Sequence, residues 1–138
     1  MLRVVLDTNV LVAALRSRRG ASFAVLSAVG TGTFEIALTV PLVLEYESVL
    51  LRPGLVPSSH SDIGAILDYL CSVGHHQTVH YLWRPKLRDA KDDMVLEAAA
   101  AAGCRAIVTH NVRDFAQAES VRVVALSPGD FLHQLRDR

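Results

Sequence analysis

The feature that most constrains this chain is the alternation of short, β-branched apolar runs with segments of helical period. Arg3-Val4-Val5-Leu6 ends at Asp7, and Arg105-Ala106-Ile107-Val108-Thr109 repeats the pattern a hundred residues later. Neither run shows an apolar-polar alternation, so both read as strands buried on two faces, which is the signature of a parallel sheet. Thr33 to Leu38 and Val121 to Leu126 add two strands, and Thr78–Tyr81 is a weaker fifth.

Between them lie helical segments with recognisable ends. Val10 to Leu15 follows Asp7 and Thr8, either of which can offer an N-cap oxygen. Ala21 to Val29 stops at Gly30. Thr39 with Pro41 starts a helix that runs to about Leu51, before Arg52-Pro53-Gly54. Ile63, Ile66, Leu67 and Leu70 trace an apolar face that closes at Gly74, and Asp92 or Asp93 opens an Ala-rich helix that Gly103 terminates. Ser127-Pro128 starts a last helix. Strands alternating with helices predict a three-layer α/β/α fold on a parallel sheet of four to five strands. At 138 residues the chain is expected to be a single domain, 1–138.

Composition narrows the function classes. Fourteen Lys+Arg balance fourteen Asp+Glu, so any nucleic-acid contact must be local rather than a bulk electrostatic effect. Cys71 and Cys104 lack metal-ligand spacing, and no apolar run approaches the ~18 residues of a membrane span. The opening Met1-Leu2-Arg3 leads straight into a strand without the organisation of a signal peptide. The expectation is an uncleaved cytoplasmic chain with reduced thiols and no membrane partner.

The acids carry the chemistry. Asp7 and Asp114 follow two strands of a parallel sheet and therefore emerge at one edge of it, where open α/β sheets bind ligands. A glutamate from the helix after the second strand can lean in. Apolar residues at helical spacing favour Glu47 over Glu45, but spacing alone does not decide between them, nor between Asp92 and Asp93 at the start of the Ala-rich helix. Carboxylates held within a few ångströms of one another repel, and a hard divalent cation such as Mg²⁺ or Mn²⁺ relieves that repulsion. Such an ion supports phosphodiester hydrolysis. The plainer alternative is that Asp7, Asp92 and Asp93 are helix-cap acids and Asp114 a turn residue.

Val4-Val5-Leu6-Asp7-Thr8-Asn9-Val10-Leu11-Val12 resembles the opening of a PIN domain, the nuclease domain of VapC-like toxins. Pro41 to Leu50, with its Glu45-Tyr46 pair, resembles the helix that supplies that family's metal-site glutamate. Arg88 to Glu97 resembles its third acidic segment, and Val108 to Phe115 its fourth. The resemblance implies catalytic, metal-binding roles for Asp7, Glu45, Asp93 and Asp114. It implies supporting roles for Asn9, Thr109, Asn111 and Asp92. It also implies Mg²⁺- or Mn²⁺-dependent cleavage of RNA, a cognate antitoxin and a homodimer. Asn111 stands where many relatives carry another Asp, which leaves one ion or two. A PIN fold of weak activity serving as an RNA-binding or RNA-processing module is the second function class.

Other constellations are less specific. Arg84, Lys86 and Arg88 flank the acidic helix start and are candidate phosphate contacts, as are Arg16, Arg18 and Arg19. His75, His76 and His80 lack the spacing of a zinc motif. Tyr81 and Trp83 are better explained by packing than by base stacking. Dehalogenase-like phosphatases also begin from an Asp after a first strand, but Asp7-Thr8-Asn9 lacks the second Asp of their Asp-x-Asp opening.

Overall fold

The computed structural model describes residues 1–79 and 90–137. Five strands form one sheet: β1 (Arg3–Leu6), β2 (Glu35–Leu38), β3 (His75–His76), β4 (Ala106–Val108) and β5 (Val124–Leu126). All pairings are parallel and the order is β3-β2-β1-β4-β5. Helices α1 (Thr8–Arg16), α2 (Ala21–Ala28), α3 (Val40–Leu50), α4 (His60–Val73), α5 (Ala90–Ala101) and α6 (Pro128–Arg136) flank the sheet, giving the three-layer α/β/α arrangement.

The strand order decides where a site can form. The chain builds outward from β1 through β2 to β3, then returns to the other side of β1 to lay down β4 and β5. The reversal lies between β1 and β4, and the crevice beyond the carboxyl ends of those strands is where open parallel sheets bind ligands. Leu6 pairs with Val108, so Asp7 and Thr109 leave the sheet side by side. The residues beneath them are apolar and essentially inaccessible: Val4, Val5, Leu6, Ile107 and Val108. Burial on both faces explains why these strands carry no alternation.

Local chemistry sets the helix ends. Thr39 accepts from the Leu42 amide at 3.2 Å with Pro41 in the first turn, Ser59 caps α4 through Asp62 N at 3.1 Å, and Ser127 caps α6 through Asp130 N at 3.1 Å. Phe131 of α6 meets Phe34 edge-on, ring centroids 5.0 Å apart.

Two expectations need correction. The β3 pairing falls at His75–His76; Thr78 and Val79 are not strand, and the remainder of Thr78–Tyr81 lies outside the described residues. A two-residue polar strand has too few positions to show a period. The run Val121 to Leu126 becomes strand only at Val124, because a 3-10 helix, Val112–Val121, extends to its first residue and Arg122 turns the chain at φ 62°. Gly74 ends α4 as expected, with φ −81°. A Cβ at Gly74 would lie 2.8 Å from Leu38 Cδ1 and 2.9 Å from the Leu70 carbonyl oxygen, so the residue is there for close approach to β2.

Candidate active site

Asp7 occupies the N-cap position of α1 yet makes no capping bond with its side chain. The capping role that spacing allows is therefore not the one it plays. Its backbone N–H donates to Val108 O at 2.9 Å, continuing the β1–β4 ladder by one residue. Its Oδ2 accepts the Thr109 hydroxyl at 2.7 Å, and Thr109 Oγ1 in turn accepts the Asn111 amide at 2.9 Å. Asn9 Oδ1 accepts the His110 amide at 3.2 Å. The start of α1 is thus tied to the loop after β4 by side chains from both.

Asp7 is 8% exposed and Thr109 fully buried. Burial pushes the Asp7 carboxyl above the ordinary carboxylate range. The Thr109 hydroxyl and the Thr8 amide pull it back, the Asp114 carboxylate pushes it further up, and His110 favours the ion. Asp114 itself is exposed, in the first turn of the 3-10 helix, where its amide donates to Asn111 O at 3.0 Å. It stands near enough to Asp7 for the two charges to oppose each other.

Helix α3 carries both candidate glutamates, Glu45 and Glu47. Leu42, Tyr46 and Val49 form its buried stripe, and the Tyr46 hydroxyl donates to Leu6 O, fastening the helix to the last residue of β1. Burial, with the charge of Asp7, raises the Tyr46 pKa far beyond the usual phenol value, so it is a neutral donor. Pinning Tyr46 brings Glu45, one residue earlier and one turn before Val49, to the edge of that stripe. Glu45 is half-buried and lines a cavity of about 240 Å³ with Asp7, Asn9, Asp92 and Asn111; Val12, Val49 and Leu55 form apolar wall. Glu47 points to solvent. Tertiary packing distinguishes two glutamates that spacing could not.

The acids at the start of α5 divide differently. Asp92 lines the cavity. Asp93 has its Oδ2 closed off from water and lies near Glu97, one turn along, whose carboxyl is raised by burial and by the Asp93 charge. Asp7, Glu45, Asp92, Asn9 and Asn111 are therefore brought to one cavity and Asp114 to its electrostatic neighbourhood, while Asp93 is not among the residues lining it. Among the described residues no three His, Cys, Asp or Glu side chains are drawn together tightly enough to cage an ion on their own. The donor set nevertheless fits a hard divalent ion, being all oxygen and, at Asp7, burdened by burial and a neighbouring negative charge. Magnesium commonly takes one or two carboxylates and completes its shell with water and substrate phosphate.

The remaining candidates separate cleanly. His76 Nε2 lies 2.6 Å from Cys71 O and His75 Nε2 3.2 Å from Gln77 Oε1, so these imidazoles serve local structure. Arg16, Arg18 and Arg19 are exposed around the end of α1. His80, Tyr81, Trp83, Arg84, Lys86 and Arg88 lie outside the described residues. One contact had no sequence signal: Ser22 Oγ, buried in the first turn of α2, lies 2.7 Å from His110 Nε2. Among the described residues, no helix is long and apolar enough to cross a membrane.

The fold, though not the site, can be compared with solved structures. The fold is shared with VapBC2 of Rickettsia felis, solved bound to a DNA fragment from its promoter, at TM-score 0.61 and 14% identity over 91% of this chain and 98% of that one. VapBC-1 of nontypeable Haemophilus influenzae superposes at TM-score 0.59 and 12% identity, covering 93% and 99% of the two chains. FitAcB of Neisseria gonorrhoeae does so at 0.58 and 18%, covering 91% and 98%. No curated protein matches the chain. The family model for the PIN domain matches residues 3–113, a span that includes Asp7, Glu45, Asp92, Asp93 and Thr109, and the chain belongs to the PIN domain family.

Proposed function

We propose that this protein is a divalent-metal-dependent endoribonuclease, the toxin of a type II toxin–antitoxin pair. The observation that carries the reading is the acid-lined cavity at the topological reversal between β1 and β4, walled by Asp7, Glu45 and Asp92. Membership of the PIN family and likeness in fold to VapBC and FitAcB support it.

In this reading Asp7, Glu45, Asp93 and Asp114 hold Mg²⁺ or Mn²⁺, with Asp92, Asn9, Thr109 and Asn111 in support. A bound ion of this kind polarises the phosphodiester and lowers the pKa of water beside it. The chain's own part is positional. Thr109 fixes the orientation of the Asp7 carboxylate through its hydroxyl, whose lone pair is itself engaged by the Asn111 amide. Tyr46 fixes α3, and with it Glu45, against β1. Asn9 holds the loop after β4 through the His110 amide. Arg84, Lys86 and Arg88 supply phosphate contacts along the substrate. A cognate antitoxin, a homodimer and a cytoplasmic, single-domain protein complete the proposal.

Cleavage of a mixed RNA pool with Mn²⁺, with EDTA and with Asp7→Asn tests the mechanism. Activity is expected only in the first; activity surviving chelation or the substitution defeats it. Manganese binding without turnover on any RNA would assign the fold to a binding role instead. Neutralising Arg84, Lys86 and Arg88 together is expected to reduce the salt slope of RNA binding by about 2, since each single-strand phosphate contact contributes ~0.7.

A further inference from the structure

Ser22 and His110 form a contact that the proposed chemistry leaves unused. Ser22 lies in the first turn of α2, 3% exposed, and its hydroxyl meets His110 Nε2 at 2.7 Å, across 88 positions of sequence. On its main-chain side His110 is held again, by Asn9 Oδ1. The residue directly follows Thr109, whose hydroxyl holds Asp7. An imidazole tethered at one ring nitrogen and at its own amide has lost its freedom before any ligand arrives, yet the residue remains exposed to solvent. With Nε2 engaged, Nδ1 is the ring's remaining hydrogen-bonding atom. The loop entering α2 carries exposed Arg18 and Arg19 just ahead of Ser22, so cationic side chains continue along the chain from the same place.

We infer that His110 is a substrate-binding residue: its imidazole, preset by Ser22, receives a phosphate oxygen of the RNA strand beside the acidic cavity. Ser22 is a positioning residue acting through that ring. The strand then runs from the cavity over the loop after β4 toward the α1–α2 loop. A group fixed in advance gains affinity because little of its freedom remains to be lost on binding. This inference rests on the ribonuclease reading.

The test measures binding and turnover separately. In protein made inactive by Asp7→Asn, the Kd for a fluorescently labelled single-stranded oligoribonucleotide is read by anisotropy with and without His110→Ala. Loss of one hydrogen bond to a charged phosphate is expected to weaken binding about tenfold. With Asp7 intact and Mn²⁺ present, His110→Ala is expected to raise KM by a similar factor and to change kcat by less than about threefold. Ser22→Ala leaves the ring but frees it, so a smaller rise in Kd, roughly two- to threefold, is expected. His110→Gln, which keeps a hydrogen-bonding group, should fall between parent and His110→Ala, and it carries the prediction if the alanine variant does not fold. A merely structural pair would lower the melting temperature in both alanine variants and leave Kd and KM within about twofold of the parent; that result overturns the inference. If the parent binds and cleaves RNA while His110→Ala does so equally well, the inference alone falls. If the parent neither binds nor cleaves RNA, the ribonuclease reading falls and takes the inference with it.

Discussion

Thr109 donates its hydroxyl to Asp7 Oδ2 at 2.7 Å, joining two residues 102 positions apart at the carboxyl ends of adjacent strands. The bond partly offsets the cost of burying a carboxylate at the end of β1 without removing it, since the Asp7 carboxyl still titrates above its ordinary range.

That residual cost predicts a trade between stability and activity. A carboxyl whose pKa is higher in the folded state than in the unfolded chain penalises folding once it ionises. The penalty is absent below the unfolded value of 3.8 and fully present above the raised folded value. Asp7→Asn keeps an acceptor for Thr109 and removes the charge. Its melting temperature at pH 7, without metal, is expected to exceed the parent's, where a gain of about 1 kcal/mol would appear as ~3–5 °C for a domain of this size. The gain should vanish below about pH 3.8, and cleavage should fall by at least about a hundredfold. Thermal melts across pH check the first part, and a variant no more stable than the parent at pH 7 would contradict it.

Tyr46→Phe removes the hydroxyl that ties α3 to Leu6 O. The change leaves a buried carbonyl short of a donor and is expected to cost about 1–2 kcal/mol. Because the same bond places Glu45, activity should fall further than stability requires. Urea denaturation should show a lower midpoint with an unchanged slope.

Gly74 and Gly103 predict contrasting costs for the same substitution. Gly74→Ala drives a Cβ against the Leu70 carbonyl and the Leu38 side chain, and overpacking of this kind costs about 1–3 kcal/mol. At Gly103 nothing lies within 4 Å of the new Cβ, but φ is +67°, so only the backbone penalty of about 1 kcal/mol applies. Paired denaturation curves check the order.

Divalent metal should raise the melting temperature of the parent by mass action, in proportion to how far its concentration exceeds Kd. Asp7→Asn and Glu45→Gln are expected to abolish that response. Asp93→Asn should reduce it more than Asp92→Asn if the family assignment of the third acid holds here. A response that survives Asp93→Asn and disappears in Asp92→Asn moves the role to the residue lining the cavity.

Much of this was legible in the chain, and the exceptions have physical causes. Asp7 and Thr109 could be placed because the runs before them are buried on both faces, which leaves an unambiguous apolar signature. Glu45 could not be separated from Glu47 by spacing, since the outcome depends on Tyr46 reaching Leu6, a contact made 40 positions away. The resemblance alone chose it. The His75–His76 strand gave no signal because its stability comes from backbone pairing with Ala37 and Leu38 rather than from its own side chains. Ser22 looked like any polar residue in a short helix until the fold set it opposite His110.

The sheet order also governs when during synthesis the cavity can form. Thr109, at the end of the partner strand, follows Asp7 by 102 positions, roughly 5–20 s at ordinary translation speeds. Until then Asp7 has no second wall to face it, so the acidic cavity can close only once β4 has been made and paired with β1.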